Sequence, residues 1–225
     1  MSQLYKSVTL SEEVMLLSLD DVSGVAKDRS SAGWAVAGGT LLELALRHRV
    51  AVTGGRPRVA DDSPTGVPLL DERLSRLTDW AHRNRRGKVT DWLAKDQTTA
   101  VRATVRSLCE HGLVVEERHR TLGLFPVRRY PEADGSVERE LRDRLARVVL
   151  EGARPDERTS ALIALLQGAR LHRITFPDVP RRRVEPRMAE IAEGQWAGAS
   201  VRKAIRDMQA AMAAVTAATI ASTVA

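Results

Sequence analysis

The chain reads as an all-α domain with one or two small β-hairpins. Three observations point there. Trp34 to Leu44 is eleven consecutive positions with a single charge, Glu43. Ala161-Leu162-Ile163-Ala164-Leu165-Leu166 is a second nearly all-apolar run. Around them, Leu69–Arg86 and Val137–Leu150 repeat apolar residues at three- and four-residue spacing, as one-sided helices do. Helices apolar around most of their girth must be wrapped by others with a single apolar face.

In chain order, Thr9 or Ser11 caps a first helix with Glu12 and Glu13 near its positive end. Met15, Leu16, Leu17 and Leu19 make its buried side, and Asp20-Asp21 and Gly24 stop it. Asp28 to Ser31 is a polar connection, followed by the central helix, Trp34 to Arg49. Gly38 and Gly39 sit inside that helix, where each costs up to about 1 kcal/mol against alanine. Close approach of another backbone is the usual reason to keep them. Arg47, His48 and Arg49 end it, cations that suit a helix C-terminus.

Val50-Ala51-Val52 reads as a short strand, Gly54-Gly55-Arg56-Pro57 as a turn, and Val59 as the start of a return strand. After the loop Asp61–Gly66, the helix Leu69–Arg86 buries Leu70, Leu74, Leu77 and Ala81. Thr90-Asp91 caps a helix with Trp92 and Leu93, and Gln97–His111 forms another, with Arg102 and Arg106 on its outer face. Gly112 ends it. Leu113–Arg118 and Leu122–Val127 form a hairpin, followed by Arg128-Arg129-Tyr130-Pro131. The remainder is helical: Val137–Leu150, Asp156–Leu171 after Pro155, Arg181–Ile191 and Ser200–Ala214. The uncharged run Met208–Ala225 is mostly Ala and Thr, too weakly apolar for a membrane span, and reads as a core helix. No linker divides the chain, so a single domain over 1–225 is expected.

The balance is basic, 35 cationic against 29 acidic side chains, net +6. Lysine appears only at positions 6, 27, 88, 95 and 203, so the positive charge is carried by arginine, whose planar fork grips phosphate with two bonds. Arginine spread over a solvated surface is the plain alternative. Aromatics are only 4%, few for stacking single-stranded bases. One cysteine, Cys109, excludes an internal disulfide framework, fits a reducing cytoplasm, and reads as a small core residue. No signal pattern opens the chain.

Catalytic and metal chemistry have little to stand on. The five histidines are scattered, Cys109 and His111 diverge on a helix, and no phosphate loop follows a strand. No enzyme, no catalytic residue, no metal site and no cofactor are expected. What remains is arginine at element ends: Arg47 and Arg49, Arg83, Arg85 and Arg86, Arg102 and Arg106, Arg128 and Arg129, and Arg181–Arg183. If Arg47, Arg49, Arg102, Arg106, Arg128 and Arg129 converge, they bind the head group of an anionic lipid. Leu122, Leu124 and Phe125 would then dip into the lipid interface, or instead form an oligomer or core contact. A winged-helix reading, with Gln97–His111 against a nucleic-acid duplex, is the alternative.

Four segments carry a resemblance. They are Leu10–Asp21 (LSEEVMLLSLDD), Gly39–Arg49 (GTLLELALRHR), Leu122–Pro131 (LGLFPVRRYP) and Asp156–Leu166 (DERTSALIALL). Together they resemble the Golgi phosphoprotein 3 family, most closely its bacterial members, across about residues 8 to 215. The resemblance implies a helical bundle core wrapped by amphipathic helices, with a projecting β-hairpin. It implies a peripheral protein on the cytoplasmic face of the membrane, an adaptor for client membrane proteins that binds phosphatidylinositol 4-phosphate, with the hairpin in membrane contact and self-association. It argues against nucleic acid as a partner. The family's head-group residues are a Trp and an Arg ahead of the Glu-Leu-Ala-Leu-Arg segment, and two Arg on the helix before the hairpin. In register these fall on Asp28, Ala37, Thr98 and Val101, so fold, hairpin and general basicity carry over, and those side chains do not.

Overall fold

A computed structural model describes residues 8–19, 29–121, 125–133, 135–194 and 199–224. The order is α1 (Leu10–Ser18), α2 (Arg29–Leu46), β1 (Val50–Thr53), β2 (Arg56–Val59), α3 (Pro68–Arg83), α4 (Val89–Glu110), β3 (Glu117–Thr121), β4 (Phe125–Arg129), α5 (Ser136–Val149), α6 (Glu157–Gly168), α7 (His172–Thr175), α8 (Arg181–Ala192) and α9 (Ala199–Val224). The strands form two separate antiparallel pairs, β1–β2 and β3–β4. This is the all-α bundle with hairpins that the sequence predicts.

Three helices form the inside: α1 is buried at every position, α6 from Thr159 to Leu166, and α2 along most of its length. The other long helices bury one stripe each, such as Leu70, Leu74 and Leu77 of α3 or Leu141, Leu145 and Val148 of α5. Burying each such leucine stabilises the fold by about 1.5–3 kcal/mol.

α1 is capped by Thr9, as expected. The Thr9 hydroxyl accepts from the Glu12 amide at 3.4 Å, and the Glu12 carboxylate accepts from the Thr9 amide at 2.7 Å. The rest of α1 departs from the one-sided reading. Glu12 and Glu13 are fully buried, because α2, α4, α5 and α6 close around the helix. It ends at Leu19, so the proposed stops Asp20, Asp21 and Gly24 lie outside the described residues.

Desolvating a carboxylate costs several kcal/mol, and arginine offsets it here. Arg158 of α6 donates to Glu43 at 2.9 Å, to Glu13 at 3.3 Å and to the Val8 carbonyl. Arg144 of α5 reaches Glu13 at 3.0 Å. Glu43 of α2 also accepts from the Leu10 amide at 3.0 Å and from Arg47 at 3.2 Å. Glu12 accepts from Ser107 of α4 at 2.8 Å and lies 3.2 Å from His111 Nδ1.

α2 begins at Arg29, earlier than the polar connection suggested, and Asp28 is outside the described residues. Gly39 meets another backbone as expected, whereas Gly38 makes room for side chains instead. A Cβ at Gly39 would stand 3.0–3.2 Å from the Leu10–Ser11 backbone, and one at Gly38 3.2 Å from Leu165 and Met208. The turn between β1 and β2 is tighter than read. Gly54 and Gly55 have φ of +59° and +71°, the left-handed pair of a two-residue hairpin, so Arg56 and Pro57 already belong to β2.

Two further corrections shape the surface. The two helices read between Thr90 and His111 are one, α4, because Asp96 does not interrupt it. Asp96 turns inward to Arg73 at 3.2 Å, with both side chains 1% exposed. Burial pushes the Asp96 carboxyl above its ordinary value, against the pull of Arg73 and Arg76. The second hairpin is shifted outward: its arms are 117–121 and 125–129, not 113–118 and 122–127. Leu113 and Val114 are buried in the core and tie the hairpin's base, with Ala133 donating to the Leu113 carbonyl at 3.0 Å and Val115 to that of Pro131 at 3.0 Å.

Gly39→Ala is expected to destabilise the protein by about 1–3 kcal/mol, since the new methyl meets backbone that cannot rotate away; urea unfolding with an unchanged m-value checks it. Burial raises the Glu13 pKa above its ordinary 4.5, ahead of the opposing pull of Arg158 and Arg144. Its contribution is therefore present in full below that ordinary value and lost as pH rises through the raised one. Glu13→Gln should lack this fall, so the stability difference between variant and wild type should change with pH in that window. A difference independent of pH would contradict the assignment.

Candidate functional site

α4 is 22 residues long, about 33 Å at the usual rise. Its inner face holds Trp92, Leu93, Ala100, Thr104 and Leu108; Arg102 and Arg106 stand exposed on the outer face, one turn apart. Arg102 has no ion pair among the described residues. Arg106 is held by Glu72 of α3, and its Nε lies 3.9 Å from Glu110. The Arg106–Glu72 pair is more than a third exposed on both sides, so it is worth at most about 1 kcal/mol, and a phosphate can compete for it.

The other candidate cations differ in how firmly they are engaged. Arg47 is spent on Glu43, a carboxylate only 4% exposed. Arg49 is bound to Asp61 and donates to the Pro64 carbonyl at 3.2 Å. It is thereby fixed to the loop before α3, while Arg106 reaches Glu72 in the second turn of α3 itself. These two approach the start of α3, Arg102 shares the face of Arg106, and Arg47 belongs to the buried knot. Arg128 and Arg129 lie on β4, opposite Arg118 and Glu117 in the register. Arg129 is half-buried.

Leu122 and Leu124 lie outside the described residues, and Phe125 opens β4 opposite Thr121. β3 and β4 pair with each other and with no other strand. Of the positions in register with the family's head-group residues, Ala37 is wholly buried, Val101 is half-buried beside Gly33 and Thr98 is exposed.

Sequence reasoning missed two groups. The buried roles of Glu12, Glu13 and Arg158 leave no local mark, because the partners that bury them across the core are 95 to 150 positions away. Arg56 and Arg58 are exposed on β2 with Pro57 buried between them, an alternation that the Gly-Gly turn could have revealed.

Other chemistry is sparse. Among the described residues, no three His, Cys, Asp or Glu side chains gather as metal ligands. Cys109 is half-buried rather than sealed in the core, and burial with Glu116 and Glu110 nearby pushes its thiol pKa up. That favours the protonated, unreactive form. No described helix is long and apolar enough to cross a membrane.

No curated protein matches the chain. The family model described as Golgi phosphoprotein 3 (GPP34) matches residues 10–208, from the first turn of α1 to the middle of α9. With that match spanning most of its length, the chain belongs to the Golgi phosphoprotein 3 family.

Proposed function

We propose that this protein is a peripheral adaptor that docks on anionic membrane through β3–β4 and the adjoining outer face of α4. The observation that carries the reading is the outer face of α4, where Arg102 is exposed with no ion pair among the described residues and Arg106 is held by an exchangeable, half-exposed pair with Glu72. In the hairpin register Arg118 and Arg128 are partner positions, which places two further arginines on β3–β4. Arg102 and Arg106 extend the positive surface along the helix that leads into the hairpin. The family relationship favours a phosphorylated head group, by resemblance phosphatidylinositol 4-phosphate, and a client membrane protein as cargo.

The energies suit reversible docking. Each arginine near an anionic leaflet adds about 1 kcal/mol. Each apolar side chain of the Leu122–Phe125 tip adds at most about 1.5–3 kcal/mol when it enters the interface. No single contact suffices, and several together hold the protein at the surface while leaving it free to exchange.

Arg102→Glu with Arg106→Glu should weaken co-sedimentation with anionic liposomes by about thirtyfold or more, since two favourable terms of about 1 kcal/mol each become unfavourable; unchanged binding would reject the α4 face. Leu124→Asp with Phe125→Asp should abolish liposome retention or shift the oligomeric state seen by sedimentation. A well-folded variant matching wild type in both would exclude the hairpin. Salt-sensitive duplex DNA binding without liposome binding would favour nucleic acid instead.

A further inference from the structure

A second basic site lies away from Arg102 and Arg106, between the β1–β2 hairpin and the end of α3. The two elements enclose a cleft of about 450 Å³, within the range of small-ligand sites. Arg58 lines it from β2, His82 from the last turn of α3, and Arg85 from the turn that follows. No carboxylate lines it. Arg56, Arg86 and Lys88 are exposed on the same segments.

The walls are fixed to each other. Val89 at the start of α4 donates its amide to the Gly55 carbonyl at 2.8 Å, tying the Arg85 turn to the tip of the Arg58 hairpin. Gly87 donates to the Asn84 carbonyl at 2.8 Å and lies flat on Trp80, where a Cβ would fall 2.4 Å from the ring. Trp80 is itself buried against Trp92, with ring centroids 5.5 Å apart. Only glycine lets the turn pack this low. The positive groups are thus held in place before any ligand arrives, which lowers the ordering cost of binding.

The C-terminus of α3 opposes an anion here with roughly half a negative charge. Two full guanidinium charges line the same cleft, so the net field is positive. Arginine forks on two walls can take two or more phosphate oxygens each way. We infer that the cleft between β2 and the end of α3, with Arg58 and Arg85 as its principal ligands and His82 as a third donor, binds a multiply charged phosphate group. That group comes either from a soluble phosphate compound or from a phospholipid. The inference is independent of the α4 docking face.

The test is calorimetric titration of the full chain with tripolyphosphate at about 0.15 M salt, where long-range attraction is largely screened. Wild type should bind. Arg58→Glu with Arg85→Glu should lose about tenfold or more in affinity, because two charge-assisted contacts are reversed. Arg182→Glu with Arg183→Glu, exposed at the start of α8 and outside both sites, should bind as wild type does. All these residues are exposed, and circular dichroism confirms the fold of each variant. Absence of binding by wild type overturns the inference, as does equal binding by Arg58→Glu with Arg85→Glu, or an equal loss in Arg182→Glu with Arg183→Glu. Retention on vesicles containing phosphatidic acid, whose phosphomonoester carries more than one charge, then separates the sources. A loss in the Arg58/Arg85 variant supports a lipid head group in the cleft, and unchanged retention supports a soluble phosphate ligand.

Discussion

The fold turns on three carboxylates taken out of water. Glu12 and Glu13 enter with α1, and Glu43 enters with α2. A nine-residue helix sealed at every position can keep two ionisable side chains only if partners arrive from several directions at once. Arg158 arrives from α6, Arg144 from α5, and Ser107 with His111 from the end of α4. Removing one member of such a set leaves an unpaired buried charge, a loss of about 3–5 kcal/mol in comparable cases. The knot therefore dictates how four helices meet around α1. It also places the surface, because the end of α4 leads directly into the β3–β4 hairpin, and α2 leaves the core where Arg47 and Arg49 begin the first hairpin.

Local patterns told the parts of the fold that local physics decides. The Thr9 cap, the paired glycines of α2, the stripes of α3 and α5 and the left-handed stop at Gly112 all follow from neighbours within a few positions. The departures share one cause, which is a partner far away in the chain. The stretch between Leu93 and Gln97 read as a gap between two helices, yet Asp96 continues the helix inward to a buried partner, Arg73, 23 positions earlier. Leu113 and Val114 alternate like strand residues, yet the core claims them, and the hairpin starts later. Glu12 and Glu13 hold the helix N-terminus that their charge favours, but inside the protein, which no local pattern announces.

The candidate site was legible in composition and much less in geometry. Arginine dominates the positive charge, and that much is evident from counting. Which arginines face solvent unpaired cannot be counted. Arg47 and Arg102 are alike in sequence, each on a helix with a basic neighbour. One neutralises a nearly buried glutamate, and the other stands free. Arg58 drew no attention beside a turn, yet with Arg85 it lines a cleft fixed by Gly55, Gly87 and Trp80.

Burial decides what each arginine is able to do. An arginine facing a desolvated carboxylate, as Arg73 and Arg158 do, cannot be lent to a ligand. The several kcal/mol lost in the core would exceed the roughly 1 kcal/mol gained at a charged surface. An arginine in a half-exposed pair such as Arg106 with Glu72 is bound by no more than the ligand offers, so it can change partners. Arg58, Arg85 and Arg102 have nothing comparable to give up. The same residue type thus serves two separate purposes, and the division lies in solvent access rather than in charge. A change of partner at Arg106 therefore leaves undisturbed the buried pairs that position the helices.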